Sequence, residues 1–365
     1  MTDSLGLYFH VPFCGKKCGY CDFYSEPYKK SGAESYVEAV LRNINHYSEP
    51  ERTVDTVYFG GGTPSLLSPL QLDRILSAVR RCFSLESSAE ITLEANPGTL
   101  TADKLKMLRE TGINRLSIGV QSLDENELKL LGRTHSPQRA VKAVEDACTA
   151  GFDNISCDVM LALPGQTAEM LEKTVSLMTA LPVQHISAYI LKIEEGTPFF
   201  EKGMGSLIPE EDATAGLYLE AVRLLEKAEF EQYEISNFAK PGFHSRHNCR
   251  YWECRDYLGI GPAAHSCYKG RRFAAEPDIH SFISSPVQPV TITEENPCTF
   301  EEKAMLRLRL KEGLDITETG SYQKKIEKKI PQLIQAGYAR FDGRFLSLTP
   351  EGFLVSNAII SELIF

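Results

Sequence analysis

The sequence predicts an α/β fold with a parallel sheet, followed by a smaller helical domain. Apolar strand-like segments alternate with amphipathic helical segments six times in the first 200 residues, and this rhythm stops near residue 205. Units of about 30 residues with this alternation are typical of right-handed βαβ crossovers, which place their strands parallel. Six such units fit either a doubly wound sheet or an incomplete barrel.

The first part of the chain is assigned from its hydrophobic periodicity. Short apolar runs predict strands at residues 5–11, 54–59, 89–95, 115–120, 154–160 and 185–191. Apolar residues at helical spacing predict helices at residues 33–47, 69–84, 101–112, 124–132, 136–149 and 167–180. Ser68 and Thr101 are predicted N-caps, with Pro69 in the first turn of its helix.

The second part has a different organisation. We predict a helix at 210–229, a strand at 230–236, an irregular stretch at 237–275, helices from 297 and at 321–337 and 350–364, and a hairpin at 338–349. The Pro-rich segment at 285–296 suggests a boundary. The predicted units are therefore 1–205, 206–290 and 291–365, and the last has the element order of a winged helix.

Composition narrows the class of protein. The chain has 365 residues, 42% of them hydrophobic, and a formal net charge of −10, which opposes binding to nucleic acid. The Lys-rich segment 324–329 is interpreted as the solvated face of a helix. We find no apolar run of the roughly 20 residues that span a bilayer and no signal peptide, although peripheral membrane contact stays open. We therefore expect a cytoplasmic protein, and in that reducing compartment the ten cysteines are not expected to form a disulfide framework.

Polar or backbone-exposing residues occur at the carboxyl end of each of the six predicted strands. In chain order they are the cysteines from Cys14, the segment Gly60–Thr63, Glu94, Gln121, Asp158, and the pair Lys192 and Glu194. The carboxyl ends of parallel strands meet at one edge of a sheet. Each residue alone has a structural explanation, but six together favour a functional site at that edge.

Three consecutive glycines, Gly60–Gly62, leave the second strand. Such a run is tolerated where the backbone passes close to a ligand or takes positive φ. It does not match G-x-G-x-x-G, and no helix begins directly after it, so a dinucleotide fingerprint is rejected. The run favours a loop whose backbone hydrogen-bonds a polar ligand.

Three cysteines with spacing C-x₃-C-x₂-C follow the first strand; they are Cys14, Cys18 and Cys21. A structural zinc site would need a fourth ligand, such as His10 or a distant pair formed by Cys249 and Cys254. A redox C-x-x-C pair is a second interpretation. A third is a cubane cluster held at three corners, with its fourth iron open to an exogenous ligand.

This spacing, with Tyr20 before the last cysteine, resembles the radical S-adenosylmethionine superfamily. The resemblance implies a partial (β/α)₆ TIM-like barrel. It also implies that the three cysteines hold a [4Fe–4S] cluster whose open iron binds S-adenosylmethionine, which yields a 5′-deoxyadenosyl radical on reductive cleavage. The protein then positions cluster and cofactor and excludes water.

Further motifs over nearly the whole chain resemble the oxygen-independent coproporphyrinogen III oxidase-like family. They are YFHVPFC (8–14), FGGGTPS (59–65), LEANP (93–97), SIGVQSL (117–123), LGRTH (131–135), CDVMLALPGQT (157–167) and YEISNFA (233–239). HNCRYW (247–252) is similar to the H-N-x-x-Y-W motif of the family's heme chaperone branch.

The resemblance assigns cofactor contacts to named positions. Tyr8, Gly61 and Glu94 match contacts to the first S-adenosylmethionine, and Tyr20 lies within the cysteine motif. The positions that hold a second molecule in the oxidase correspond to Gly62, Thr63, Gln121, Arg133 and Asp158.

Two departures from the oxidase imply the chaperone branch. Phe23 stands where the oxidase has a further cysteine, and the cluster loop begins at residue 14, without the oxidase's long N-terminal arm. We therefore expect a protein that binds heme and delivers it to acceptor haemoproteins, with heme-donor proteins as further partners. Coproporphyrinogen III dehydrogenation is the alternative, and cleavage of S-adenosylmethionine without a dedicated organic substrate stays open. A lesser departure is Ala162, where the family usually has glycine.

His247 opens the H-N-x-x-Y-W motif and is the candidate heme ligand. A neutral imidazole is a common axial ligand of heme iron. Cys249 is an alternative ligand, His265 a weaker one, and His10 is expected beside the cluster. The structural alternative makes His247 a loop-capping residue.

Overall fold

The computed structural model describes residues 4–364, and its first half alternates strands and helices as the sequence predicts. The strands are β1 Leu5–Val11, β2 Phe13–Cys14, β3 Glu26–Pro27, β4 Glu49–Gly61, β5 Phe83–Ala95, β6 Arg115–Gln121, β7 Ile155–Leu161 and β8 His185–Ile190. The helices are α1 Lys30–His46, α2 Pro69–Cys82, α3 Ala102–Glu110, α4 Glu125–Leu131, α5 Pro137–Thr149, α6 Ala168–Thr179 and α7 Pro198–Glu201.

The second half contains more regular structure than the sequence suggested. Its strands are β9 Glu231–Gln232, β10 Asn237–Ala239, β11 Tyr257–Ile260, β12 His265–Tyr268, β13 Arg271–Ala275, β14 Val290–Glu295, β15 Leu314–Asp315, β16 Ala339–Phe341 and β17 Phe345–Leu348. Its helices are α8 Glu211–Lys227, α9 Arg246–Trp252, α10 Ile279–Ser284, α11 Phe300–Arg307, α12 Gln323–Gln335, α13 Pro350–Leu354 and α14 Ser356–Ile364. Short 3₁₀ turns occur at Pro64–Leu66, Pro97–Thr99, Met204–Leu207, Ile316–Glu318 and Gly320–Tyr322.

A twelve-stranded sheet organises the barrel, in the order β14-β13-β12-β11-β1-β4-β5-β6-β7-β8-β10-β9. The six predicted strands β1, β4, β5, β6, β7 and β8 are parallel neighbours, which confirms the partial (β/α)₆ barrel. β11 adds a seventh parallel strand beside β1. It lies in the stretch predicted to be irregular, because a strand of only four residues carries little periodic signal.

The predicted helix caps are confirmed. The Ser68 side chain accepts a hydrogen bond from the backbone N of Gln71 at 3.2 Å, and the Gln71 side chain returns to Ser68, which forms a capping box. Thr101 caps α3 by accepting from the backbone N of Lys104. These caps fix where the helices begin after their strands, and therefore the length of the loops at the carboxyl edge of the sheet.

The C-terminal part combines helices with the three-stranded sheet β15-β17-β16. β16 and β17 pair as the predicted hairpin. Helix α12 is amphipathic: Ile326 and Ile330 are buried, while Lys329 pairs with Glu362. β14 pairs with β13 and crosses the predicted boundary at residue 291, so the three-unit division of the chain stays a prediction.

No helix within residues 4–364 has the length and apolar character required to cross a bilayer. All ten cysteines of the chain are free thiols in this structure.

Candidate functional site

The three motif cysteines lie on one loop after β1. β2 and β3 pair across the base of this loop, and the backbone N of Tyr28 donates to the Cys14 carbonyl at 3.0 Å. Two neighbouring side chains point donors at the sulfurs. Thr63 Oγ1 lies 3.6 Å from Cys14 Sγ, and Arg133 Nη1 lies 3.5 Å from Cys18 Sγ. All three thiols are partly exposed, so an entering cluster can reach them.

A cavity of about 490 Å³ opens beside this loop at the carboxyl edge of the sheet. Its lining includes residues from all six predicted strands or from the loops after them, so polar residues singled out in the sequence lie together at one edge of the sheet. Those from the predicted site are Cys14, Cys18, Cys21, Tyr20, Gly61, Gly62, Thr63, Glu94, Gln121, Arg133 and Asp158.

Two predicted residues lie outside the cavity lining, Tyr8 and His247. The Tyr8 ring packs beside the rings of Tyr58 and His247, at centroid distances of 6.1 and 6.3 Å, and its hydroxyl is 3.2 Å from His10 Nδ1. In this conformation, Tyr8 supports the residues that line the cavity and does not itself form the lining. His10 is buried near the cysteine loop, with Nε2 3.0 Å from the Tyr24 carbonyl.

The glycine run has, at Gly61, the positive φ expected from the sequence, and it also allows close packing against the cysteine loop. Gly61 has φ of +105°, and a Cβ there would lie 2.7 Å from the His10 ring. A Cβ on Gly62 would lie 2.6 Å from the Phe13 carbonyl oxygen. The amide of Gly61 donates to Glu94 at 3.2 Å and that of Gly62 to the Val11 carbonyl at 2.9 Å. Both amides are therefore used within the protein, and the run lets β4 approach the cysteine loop.

Two carboxyl groups, those of Glu94 and Asp158, line the cavity and have raised pKa values. Burial raises the pKa of Glu94 to about 7, although Tyr58 donates to it at 2.8 Å. Burial also raises the pKa of Asp158 to about 6, against a hydrogen bond from Ser117 at 3.3 Å. A cationic ligand would favour the ionised form of both groups.

Two arginines supply the opposing charge. Arg133 donates to the Gly119 carbonyl at 2.5 Å as well as to Cys18. Arg115 is almost fully buried and also lines the cavity. The Nε atoms of both guanidinium groups are buried without a hydrogen-bond partner. The charges of these two guanidinium groups suit a ligand with anionic oxygens.

Two positions in the site have backbone conformations that L-residues rarely adopt. Gln121 has φ of +69°, and its Oε1 accepts from the Tyr189 hydroxyl at 2.7 Å. Ala162, which replaces the family's usual glycine, has φ of +57°. Alanine tolerates this left-handed conformation at a cost of about 1 kcal/mol. The strain at Gln121 holds its amide at the cavity wall.

His247 lies in α9, below the cavity. Its side chain is fully buried, with Nδ1 2.9 Å from Thr56 Oγ1 and Nε2 2.9 Å from the Tyr251 hydroxyl. Burial lowers its pKa to about 3, so the ring is neutral. Neither nitrogen is free for heme iron in this conformation, so the geometry argues against the predicted ligation. His247 instead joins α9 to β4.

Among the cavity-lining residues that sequence reasoning did not assign to the site are Tyr58, Arg115, Asn248 and Tyr189. Asn248 follows His247 and shows that the H-N-x-x-Y-W helix contributes to the site. The signal available for Arg115 was a charged residue opening an otherwise apolar strand.

The chain is similar to known protein families over most of its length. Residues 8–178 match the Radical SAM superfamily, and residues 299–355 match the HemN C-terminal domain. Over 99% of its length the chain superposes on 90% of the coproporphyrinogen III oxidase HemN from Escherichia coli, a radical SAM enzyme, with a TM-score of 0.83 at 21% identity. The fold and the cysteine loop define a radical SAM protein.

Curated relatives narrow the family. The chain is 35% identical to the heme chaperone HemW of Lactococcus lactis, over 98% of this chain and 96% of that protein. It is also 35% identical to Escherichia coli HemW, over 98% and 97%. The bovine mitochondrial radical S-adenosyl methionine domain-containing protein 1 is 33% identical, over 100% and 88%. The chain belongs to the family of radical SAM proteins that includes the HemW heme chaperones.

The residues present fit the cofactors that this superfamily implies, a [4Fe–4S] cluster and S-adenosylmethionine. Three partly exposed thiols are the donor set that such a cluster requires. Within residues 4–364, the three potential metal ligands whose donor atoms all lie within 4.8 Å of one another are Cys254, Cys298 and Glu302. The motif thiols are not all this close together, so they are not arranged around a single ion. The carboxyls of Glu94 and Asp158 and the guanidinium groups of Arg115 and Arg133 in the cavity lining match a zwitterionic ligand.

Proposed function

We propose that this protein is a heme chaperone that binds a [4Fe–4S] cluster, S-adenosylmethionine and heme, and delivers heme to acceptor haemoproteins in a reducing compartment such as the cytoplasm. The observation that carries the proposal is one cavity whose wall holds the three motif cysteines and whose lining includes the exposed ring of Phe23. The full-length similarity to HemW heme chaperones supports heme as the cargo.

Cluster and cofactor would be held by different residues of the cavity lining. Cys14, Cys18 and Cys21 would ligate three irons, with the Arg133 guanidinium beside the Cys18 sulfur offsetting their negative charge. Glu94 and Asp158 would receive cationic or hydroxyl groups of S-adenosylmethionine. When bound and reduced, the cluster and cofactor supply radical chemistry. The chain's own part is to orient the cofactor and to exclude water from it.

Heme would occupy the mouth of this cavity. Phe23 is 61% exposed and Ile190 36% exposed, and both line the cavity. Exposed apolar side chains grouped at a cleft are typical of a binding surface for an apolar ligand. Lys16 and Lys192 line the same cavity and offer cations for the two heme propionates, although Lys192 is paired with Glu194 at 2.6 Å in this structure.

A hemin titration of cluster-loaded protein tests this placement. We expect Phe23→Ala to weaken hemin binding at least fivefold, because it removes the most exposed ring at the mouth. The matched control is Phe200→Ala, since Phe200 is 52% exposed on α7 but does not line the cavity. Equal hemin affinity in the two variants would show that heme does not bind at the mouth of the cavity.

The rival activity is oxidative decarboxylation of coproporphyrinogen III. Phe23 occupies the position of the oxidase's additional cysteine, and we expect anaerobic assay with reductant and S-adenosylmethionine to yield no protoporphyrinogen. In parallel, hemin-loaded protein should convert an apo-haemoprotein to its holo form. Formation of protoporphyrinogen at a catalytic rate, without heme transfer, would replace the chaperone proposal with the dehydrogenase.

A further inference from the structure

A second cysteine cluster lies outside the candidate site. It contains Cys254, which follows α9, Cys267 on β12, and Cys298 and Glu302 at the start of α11. Residues far apart in sequence therefore bring three thiols and one carboxylate together, between the segment after the H-N-x-x-Y-W helix and the first helix of the C-terminal part. Neither the proposed function nor the family's cysteine motif uses these residues.

The distances in this cluster suit a thiophilic metal ion. Cys254, Cys298 and Glu302 are the group of metal-ligand type within residues 4–364 whose donor atoms all lie within 4.8 Å of one another. The sulfurs of Cys267 and Cys298 are 3.7 Å apart. Two thiolates about 2.3 Å from a tetrahedral zinc ion lie about 3.8 Å apart, so this spacing already matches a zinc edge.

The backbone at two of the cysteines has positive φ. Cys254 has φ of +53° and Cys298 has φ of +65°. Non-glycine residues adopt this left-handed conformation at a free-energy cost, and such strain concentrates at functional sites. Two strained cysteines that approach one another from separate segments are difficult to explain by chain packing alone.

The carboxylate of this cluster is already oriented by neighbouring groups. The backbone N of Cys298 donates to Glu302 Oε2 at 2.7 Å, and Arg272 donates to Oε1 at 2.5 Å. Partners of this kind fix ligating carboxylates around metal ions. The Arg272 guanidinium also offsets part of the negative charge that three thiolates and one carboxylate would gather around a divalent cation.

We propose that Cys254, Cys298 and Glu302 bind one Zn²⁺ ion, with Cys267 rotating to supply the fourth ligand. Cys267 is buried and the other three residues are partly exposed, so the ion can enter from solvent. A metal here would join the end of α9, which carries Asn248 of the cavity lining, to α11. The site would therefore brace the floor of the cavity against the C-terminal part.

The test uses the full-length chain with Cys14→Ala, Cys18→Ala and Cys21→Ala, so that zinc cannot bind at the motif cysteines. We expect one Zn²⁺ per chain after anaerobic dialysis, and Co²⁺ in its place should show thiolate-to-metal charge-transfer absorption. Adding Cys298→Ser should weaken zinc binding at least tenfold. The matched control is Cys148→Ser, which removes an exposed thiol on α5. This experiment involves neither heme nor cluster, so its outcome is separate from that of the proposed function.

Glu302→Gln provides a second variant of nearly unchanged shape, and circular dichroism checks that each variant is folded. Folded Glu302→Gln should bind zinc more weakly than the parent chain. The proposal is overturned by zinc affinity that is equal in the Cys298→Ser and Cys148→Ser chains, or by absence of bound zinc. A Cys267–Cys298 disulfide in protein that was kept under reducing conditions and takes up no zinc would also overturn the zinc proposal, and it would assign the cluster to redox chemistry.

Discussion

Arg250, in the H-N-x-x-Y-W helix α9, carries the sharpest stability prediction. Its guanidinium group is fully buried and pairs with Asp55. It also donates to Thr56 Oγ1 at 3.1 Å and to the carbonyls of Ser4 and Asp256 at 2.9 and 3.0 Å. These contacts join α9 to the amino-terminal side of β1 and β4, so we expect Arg250→Met to destabilise the barrel.

The magnitude follows from burial. Removing the buried partner of an ion pair costs about 3–5 kcal/mol, and Asp55 would keep only Ser4 and the partly exposed Arg255. With an unfolding entropy of about 2.1 cal/mol/K per residue, a 365-residue chain loses roughly 1.3 °C of melting temperature per kcal/mol. Arg250→Met should therefore lower the thermal midpoint by roughly 4–7 °C at neutral pH.

Arg255 is the matched control, because it also contacts Asp55, at 3.3 Å, but is 32% exposed. An ion pair open to solvent contributes about 0–1 kcal/mol, so Arg255→Met should shift the midpoint by less than about 1.5 °C. Thermal melts of both variants followed by circular dichroism make the comparison. Equal shifts in the two variants would refute the argument from burial.

The same pair predicts a pH dependence. Burial alone would raise the pKa of Asp55, but hydrogen bonds from Arg250 and Ser4 outweigh it and hold that pKa below its usual value. A lowered carboxyl pKa contributes stability above the unfolded pKa of about 3.9, and this contribution is lost as pH falls through the folded pKa. The difference between wild type and Arg250→Met should therefore be full at pH 7 and shrink below about pH 4.

Three further predictions concern the site. Because the pKa of Glu94 is raised to about 7, binding of cationic S-adenosylmethionine should release a proton, and the affinity for S-adenosylmethionine should rise between pH 6 and 8 in wild type but not in Glu94→Gln. Calorimetry in two buffers measures the released proton, and the same dependence of affinity on pH in the variant would contradict the assignment. Gly62→Ala places a Cβ 2.6 Å from a backbone carbonyl and should at least halve the iron retained after reconstitution, whereas Gly15→Ala, with open space around it, should retain wild-type iron. His247→Ala should leave the absorption spectrum of bound hemin unchanged, since both ring nitrogens of His247 are already hydrogen-bonded. The exposed His265 is tested as a ligand in the same way by His265→Ala. Loss of the spectrum in His247→Ala alone would show that α9 moves to bind heme.

The motif cysteines and most of the cavity lining were predictable because their signals are local. An apolar run indicates a strand, and the polar residue at its end can be identified directly from the sequence, as with Glu94 near the end of β5. Parallel pairing then brings those ends together without further information. The same reasoning does not find Arg115, whose long side chain reaches the cavity from the opposite end of β6, because side-chain direction depends on packing.

The surroundings of the H-N-x-x-Y-W segment depend on tertiary structure. The sequence indicates a heme ligand at His247, but α9 packs this residue under the barrel, where Thr56 and Tyr251 take both ring nitrogens. β11 and the cluster formed by Cys254, Cys267 and Cys298 were likewise outside the reach of sequence patterns. Hydrophobic periodicity and motif spacing report on neighbours along the chain. Which distant segments meet depends on the packing of the whole sheet and its helices, and that is visible only in three dimensions.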